Sequence, residues 1–216
     1  GGSSTLSPDS SANGETSITN DGITVSVGSP SGGSLTWHTT TSVGQGIGVA
    51  SPSGGSAKVY GSNESLDIDF AQGASKVTIT LADIGSNNLG DGVDYNVYLA
   101  SDPTTPVTLE FQIPSSGVVN GTVSFDIDVA DIAPGDTIVG VDLYSINNSA
   151  LETTSFLLTD VTAEYPASGP DCVEDQFTYV LTDGDIDSED AVLTIKTDII
   201  PDDQPEIISV ENLLVD

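Results

Sequence analysis

The sequence predicts an all-β protein, because segments that alternate apolar and polar residues recur along most of its length. About nine or ten such segments follow one another at near-regular spacing, with turn-forming residues between them. Glycine, serine, threonine, valine, aspartate and asparagine dominate, a composition typical of short strands and many turns. No segment with helical periodicity is long enough to matter. Together these observations predict an antiparallel β-sandwich of jelly-roll type.

The strands are predicted in order from residue 21 onward. They are expected near residues 23–27, 35–37, 47–49, 65–70, 76–81, 95–99, 107–113, 123–129, 138–144 and 156–165. In the clearest of them, Leu66, Ile68 and Phe70 share one face. Asp67 and Asp69 lie on the opposite face, so this strand is predicted to bury one side only.

Gly44, Gly46 and Gly48 lie in a glycine-rich stretch without a phosphate-binding signature. No P-loop lysine accompanies them and no helix follows, so we interpret them as turn or bulge glycines.

The aromatic residues are few. Trp37 and His38, the single tryptophan and the single histidine, are neighbours and face opposite ways in a strand. We expect Trp37 in the core beside Leu35 and His38 toward solvent, with a sugar-stacking role for Trp37 as the alternative. Four tyrosines are candidates to line a binding face: Tyr60, Tyr95, Tyr98 and Tyr144.

Charge and composition exclude several classes of function. The formal net charge is −30 with only three basic residues, which argues against nucleic acid and against anionic lipid as partners. No apolar run approaches the length of a membrane span. One histidine and one cysteine cannot build a zinc site, and no serine lies in a GxSxG turn, so we expect a protein that is not an enzyme. Glycosidase carboxylates remain an open alternative, since 33 acidic residues make some suitable pair inevitable.

The polar loop over residues 83–94 is the first candidate for a ligand site. Loops on a rigid sandwich carry recognition more often than sheets do, and oxygen donors suit Ca²⁺ or sugar hydroxyls. The same residue types are also ordinary turn formers, and this reading stays open. The candidate ligand-binding residues are Asp83, Asn87, Asn88, Asp91 and Asp94.

An acidic turn between two alternating segments, near residues 177–181 and 191–195, is the candidate metal site. Asp183, Asp185 and Asp187 occupy every second position and repel one another, so a hard cation with oxygen ligands, Ca²⁺, would neutralise them. The turn is not an EF-hand, because Ser188 and Thr194 stand where that loop needs Gly and Glu. A solvated acidic turn without a bound ion is the alternative. The single cysteine, Cys172, allows no internal disulfide, and metal ions are an alternative staple.

The run FTYVLTDGDIDSEDAVLTIKT, followed by DDQP, resembles the closing strands of the immunoglobulin-like tandem repeats of bacterial RTX-type adhesins. The resemblance implies Ca²⁺ at the strand turn and at the junction between repeats, which would add Asp202 and Asp203 to the metal ligands. It also implies a repeat split by an inserted ligand-binding domain, with neighbouring adhesin repeats as partners.

The segments GITVSV, LTW, GIGV, NESLDIDF, KVTITLADIG and FLLTDVTAEY, in that order, are similar to jelly-roll modules of bacterial extracellular proteins. These include Ca²⁺-dependent carbohydrate-binding and peptide-binding domains of adhesins. The resemblance implies a cation between Glu64 and Asp160, with a plain surface carboxylate at the strand start as the alternative for Glu64.

The predicted organisation has four parts. Residues 1–20, with hardly any apolar side chains, are expected to form a flexible linker. Residues 21–166 are a jelly-roll ligand-binding domain, residues 167–205 the C-terminal part of a split immunoglobulin-like repeat, and residues 206–216 the start of a next repeat or a tail. The expected function is a monomeric, secreted, Ca²⁺-dependent module of a bacterial surface adhesin that binds glycan or peptide and supports attachment and biofilm formation. A purely structural spacer and a polysaccharide-active enzyme are the alternatives.

Overall fold

A computed structural model of the chain describes residues 1–40, 44–50, 59–60, 64–85, 89–116, 118–145, 147–149, 152–153, 155–166, 173–179, 191–198 and 206–212. The chain separates into two compact units, Gly1–Pro166 and Ala167–Asp216.

Most of the described residues of the first unit lie in strands. They are β1 (Ser3–Leu6), β2 (Ser17–Asn20), β3 (Ile23–Ser29), β4 (Ser34–Thr40), β5 (Gly44–Ala50), β6 (Val59–Tyr60), β7 (Ser65–Ala74), β8 (Lys76–Ala82), β9 (Gly92–Leu99), β10 (Asp102–Gln112), β11 (Val123–Asp128), β12 (Ile138–Ser145), β13 (Asn147–Ser149), β14 (Glu152–Thr153) and β15 (Ser155–Glu164). A 3-10 turn covers Ser10–Ala12 and one short helix, α1, covers Val129–Ile132.

Two antiparallel sheets form the sandwich, as predicted. In the described part of the chain, one sheet has six strands in the order β10-β9-β12-β7-β3-β2. The other has seven strands, with the path β11-β8-β15-β5-β4 and with β1 and β6 also paired to β15. The strands β13 and β14 form a separate two-stranded sheet.

The core lies between the two sheets and is built by the alternating pattern of the sequence. Leu66, Ile68 and Phe70 of β7 point inward and are buried, and β8 buries every second residue in the same way. Each large aliphatic side chain that leaves water contributes about 1.5–3 kcal/mol. Leu35 is fully buried, while Trp37 is half-buried and packs against the core.

The prediction of a flexible linker over residues 1–20 is wrong for its paired stretches. β1 pairs with β15 from Ser3 to Leu6, and β2 pairs with β3. Leu6 is only 2% exposed and belongs to the core cluster. A segment with few apolar residues is ordered here because existing strands supply the partners for its backbone hydrogen bonds.

The interpretation of Gly46 and Gly48 as turn or bulge glycines is also wrong, since both lie inside β5 and are buried. A Cβ at Gly46 would lie 2.5 Å from the backbone oxygen of Leu158. This glycine is needed for the close approach of β15 to β5. Gly44, by contrast, has φ +97°, a left-handed conformation that favours glycine.

The second unit contains a three-stranded antiparallel sheet in its described residues, β16 (Val173–Tyr179), β17 (Ala191–Asp198) and β18 (Glu206–Asn212). β16 and β17 correspond to the two alternating segments predicted around the acidic turn. β18 pairs with β17 in this same sheet. Residues 206–212 therefore extend this sheet instead of forming a separate part, and residues 213–216 lie outside the described residues.

A groove on the six-stranded sheet

The outer face of the six-stranded sheet carries acidic residues that its strand pairing brings together. In β7 the inward positions are apolar, so Asp67 and Asp69 point outward. The register of β12 against β7 places Asp142 directly opposite Asp67 and Gly140 opposite Asp69. Side chains directly opposite each other on antiparallel strands have Cβ atoms about 4.5–5.5 Å apart. The two carboxyl groups therefore meet across strands.

Strand β9, on the other side of β12, completes this part of the face. Its register places Asn96 opposite Asp142 and Tyr98 opposite Gly140. Two rows thus cross the sheet: one runs from Asn96 through Asp142 to Asp67, and the other runs from Tyr98 over Gly140 to Asp69.

A groove of about 570 Å³ opens on this face. Its walls combine carboxylates, one tyrosine, one proline and small residues, and the residues that line it are Thr24, Asp67, Asp69, Phe70, Ala71, Tyr98, Pro103, Val139, Gly140 and Asp142. No basic residue is among them, so the groove is strongly acidic in character.

Asp67 carries the most perturbed carboxyl group of the groove. Partial burial, the charge of Asp142 and a side-chain hydrogen bond with Asp142 together raise the pKa of Asp67 from 3.8 to about 6. Asp69 adds to this repulsion, and its own pKa is raised by partial burial and by the charge of Asp142. Near neutral pH these carboxylates repel one another in close proximity.

Tyr98 is held in place by the acidic pair. Its hydroxyl donates a hydrogen bond of 2.6 Å to Oδ2 of Asp142. This hydrogen bond, together with burial, raises the pKa of Tyr98 to about 12, so the hydroxyl stays protonated and remains a donor. Because the hydroxyl is engaged, the ring has a fixed position at the side of the groove.

A second polar cluster lies beside the groove, around Asn96. The Tyr144 hydroxyl donates to Oδ1 of Asn96 at 3.1 Å, and the Thr108 hydroxyl donates to the same oxygen at 2.7 Å. Asp94, two residues before Asn96 on β9, lies opposite Glu110 and Tyr144. Partial burial and the charge of Glu110 raise the pKa of Asp94. The acidic character of the face therefore extends beyond the groove.

The predicted loop residues are only partly brought to this face. Asp94 belongs to β9 and to the outer face of the six-stranded sheet, whereas Asp83 and Asp91 lie outside the strands. Asp83 has φ 64°, which lies in the left-handed region that is common in turns. Asn87 and Asn88 lie outside the described residues, so the ligand role of this loop stays a prediction.

Two of the predicted metal ligands, Glu64 and Asp160, are among the described residues. Glu64 immediately precedes β7 of the six-stranded sheet, and Asp160 lies in β15 of the other sheet, opposite Thr80. Across the parts of the chain that the structure describes, no three His, Cys, Asp or Glu side chains form a group that could hold a metal ion. The cation between Glu64 and Asp160 stays a prediction. The remaining candidates, Asp183, Asp185, Asp187, Asp202 and Asp203, lie outside the described residues.

The groove residues Asp142 and Gly140 were not singled out from the sequence. Asp142 occupies an outward position of β12, between the buried Val141 and Leu143, as Asp67 and Asp69 do in β7. An acidic residue at the centre of a predicted strand was the available signal. Of the four tyrosines considered, Tyr95 is buried, Tyr98 lines the groove and Tyr144 lies beside it, whereas the side chain of Tyr60 lies outside the described ones.

The fold and the groove define a β-sandwich domain with a polar, acidic depression on one sheet. No helix among the described residues is long and apolar enough to cross a membrane. No protein-family model and no curated protein matches the chain.

Among solved structures, the chain is similar to the K2 cleaved adhesin domain of Lys-gingipain, with 16% sequence identity and a TM-score of 0.44, over 75% of this chain and 99% of that one. It is also similar to the low-affinity xylan-binding module CBM86 from Roseburia intestinalis, with 16% identity and a TM-score of 0.38, over 77% of this chain and 98% of that one. A glycoside hydrolase domain of Endo-D from Streptococcus pneumoniae R6 matches with 11% identity and a TM-score of 0.33, over 80% of this chain and 26% of that one. Similarities at this level identify neither a family nor a ligand.

Proposed function

We propose that the first unit is a carbohydrate-binding domain and that the groove on the six-stranded sheet is its binding site. The observation that carries this proposal is the pairing of Asp67 with Asp142 beside Tyr98, on an outer face of the sandwich. Like charges directly opposite each other destabilise a sheet, so their placement in a groove favours a role in recognition.

The chemistry of the groove suits a polyhydroxylated ligand. Carboxylates accept several hydrogen bonds each, and sugar hydroxyls are donors of matching size. An aromatic ring offers an apolar surface to the C–H face of a sugar. A peptide would use the free backbone groups of a sheet edge, whereas this groove lies on the face of the sheet. Its terminal carboxylate would also be repelled by Asp67, Asp69 and Asp142. A glycan is therefore the preferred partner over a peptide.

We place this binding domain in an extracellular bacterial adhesin, where it would attach cells to surfaces and support biofilm formation. The resemblance of residues 177–205 to the closing strands of RTX-type repeats supports this setting. Ca²⁺ held at the acidic turn, by Asp183, Asp185 and Asp187, would stiffen the second unit and its junction with neighbouring repeats. The net charge of −30 favours solubility and the capture of cations.

Binding without cleavage is part of the proposal. The two carboxyl groups of a retaining glycosidase are about 5–5.5 Å apart, and those of an inverting enzyme are farther apart still. Asp67 and Asp142 are instead in direct side-chain hydrogen-bond contact. The contact between Asp67 and Asp142 is closer than the spacing of either catalytic arrangement, so this pair does not match a glycosidase pair.

The test is a screen of the intact chain against neutral oligosaccharides at pH 7.5, followed by calorimetric titration of each hit. Asp142→Ala removes the partner of Tyr98 and one acceptor of the groove, so it should abolish binding. Asp126→Ala removes an exposed carboxylate of β11, on the other sheet, and should bind like the wild type. If the wild type binds no oligosaccharide, the proposed function is wrong and the spacer function is favoured. If Asp142→Ala binds as well as the wild type, the groove is not the binding site.

The calcium part is tested separately by melting the intact chain with Ca²⁺ and then with EDTA. A ligand present at about 100 times its dissociation constant stabilises the folded state by about 2.7 kcal/mol. Ca²⁺ should therefore raise the melting temperature of the second unit, and Asp185→Asn should remove most of this gain. A melting curve that does not respond to Ca²⁺ contradicts the calcium proposal while leaving the groove proposal intact.

A further inference from the structure

Gly140 forms the floor of the groove between two side walls. It lies in β12, opposite Tyr98 on one neighbouring strand and opposite Asp69 on the other. A Cβ added at this glycine would lie between the two walls, 3.6 Å from Cδ2 of Tyr98 and 3.6 Å from Oδ1 of Asp69. Its remaining close neighbour would be the backbone oxygen of Ile68, at 3.5 Å.

These distances correspond to ordinary van der Waals contact on both sides. Non-bonded heavy atoms attract best at about 3.5–4.0 Å, so a single layer of atoms above Gly140 would contact the Tyr98 ring and the Asp69 carboxylate together. One sugar ring is such a layer, with an apolar C–H side and hydroxyl groups along its edge.

The two walls offer different chemistry. The Tyr98 ring is fixed, because its hydroxyl donates to Asp142 at 2.6 Å. It gives an apolar surface for the C–H side of the ring. Asp69 is exposed and can accept hydrogen bonds from two neighbouring hydroxyls.

We propose that the groove holds one uncharged sugar ring over Gly140, between the ring of Tyr98 and the carboxylate of Asp69, and that Gly140 determines this specificity. The inference rests on the proposed carbohydrate-binding function and names the ligand class of that site. A sugar with its own carboxylate is rejected, because Asp67, Asp69 and Asp142 line the groove and no basic residue does.

The experiment compares a neutral oligosaccharide that binds the wild type with its uronic-acid counterpart, by calorimetric titration of the intact chain at pH 7.5. The wild type should bind the neutral ligand at least about tenfold more tightly than the acidic one, a ratio expected to shrink as salt screens the carboxylates. Gly140→Val fills the space over the floor and should weaken neutral binding at least about tenfold. Ser124→Val adds a similar side chain to the exposed face of β11 and should change affinity less than about twofold.

A second pair of variants covers the case in which Gly140→Val does not fold. Tyr98→Phe keeps the ring and loses the hydroxyl, so it should retain most of the binding, whereas Tyr98→Ala should lose it. Equal affinity of folded Gly140→Val and the wild type overturns the inference, and so does equal binding of the neutral and the acidic sugar. Neither result contradicts the carbohydrate-binding function itself. That function is contradicted only if the wild type binds no oligosaccharide at all.

Discussion

The substitution Asp67→Asn tests whether the carboxyl pair of the groove is repulsive in the free protein. Asp67 of β7 lies opposite Asp142 of the adjacent strand β12. Burial and the charge of Asp142 raise the pKa of Asp67 to about 6. Asparagine keeps the shape of the side chain and removes its charge. The substitution should therefore stabilise the fold wherever the wild-type Asp67 is ionised.

The expected size follows from proton linkage. In the folded state Asp67 holds its proton up to a pH of about 6, and in the unfolded chain only up to about 3.8. Between these values the folded state binds more protons, so the free energy of unfolding of the wild type falls as the pH rises. One pKa unit corresponds to about 1.4 kcal/mol, which gives an upper bound of about 3 kcal/mol above pH 6. Because Asp67 is half-buried, solvent screening reduces this to about 1–1.5 kcal/mol.

The assay is thermal unfolding followed by the fluorescence of Trp37, the single tryptophan, which packs against the core of the first unit. At pH 7.5 Asp67→Asn should melt about 2–6 °C above the wild type, and at pH 3.5 the two should coincide. Asp126→Asn is the matched control with the opposite sign. Asp126 forms an ion pair of 2.8 Å with Lys76, which lowers the pKa of Asp126, so its loss should slightly destabilise the fold at pH 7.5. Equal effects of Asp67→Asn at both pH values would refute the repulsive pair.

Two further predictions concern the fold. Leu6→Ala should cost about 2–5 kcal/mol, because Leu6 is buried in the core through the pairing of β1 with β15; Ser3→Ala in the same strand is exposed and should be nearly neutral by chemical denaturation. A linker would tolerate both changes equally. Gly46→Ala should destabilise the fold by about 1–3 kcal/mol, since its Cβ would overlap the backbone of Leu158, whereas Gly140→Ala meets only ordinary contacts and should melt close to the wild type. Similar melting temperatures for the two alanine variants would contradict the close approach of β15 to β5.

Strand positions were predictable from the sequence because burial on one face imposes a local period of two. Leu66, Ile68 and Phe70 identify the inward face of β7 without knowledge of any partner strand. The N-terminal residues lack this signal. β1 is ordered by pairing with β15, whose residues lie more than 150 positions later in the chain. The composition of residues 1–20 does not indicate that such a distant partner exists. The linker prediction failed for this reason.

The groove depends on the same kind of long-range information. The sequence indicates that Asp67 and Asp69 face away from the core, but their neighbour Asp142 is set by the register of β12 against β7. A shift of one residue would turn Asp142 inward and place an apolar residue in the groove. The general preference of recognition sites for loops favoured residues 83–94 over the sheet face. Asp94 is the member of that loop set that the structure places on the outer face of the six-stranded sheet.

The two outer faces of the sandwich differ in a way that stability alone does not explain. On the seven-stranded sheet, cross-strand neighbours complement each other: Thr5 bonds Thr162 at 3.0 Å, Thr80 bonds Ser124 at 2.8 Å, and Lys76 pairs with an aspartate. Such pairs each contribute about 0.2–1 kcal/mol to a sheet.

On the six-stranded sheet, central positions hold the repulsive pair Asp67 and Asp142, and the neighbouring Gly140 has no side chain to pack between them and Tyr98. Asparagine or threonine at either acidic position would relieve the repulsion while keeping a polar outer face. The destabilising repulsion is therefore located among the residues that line the groove, whereas the outer face of the opposite sheet has the polar pairs that are usual for a solvated surface. The proposed sugar ligand would offset this repulsion, because its hydroxyl groups would donate hydrogen bonds to both carboxylates.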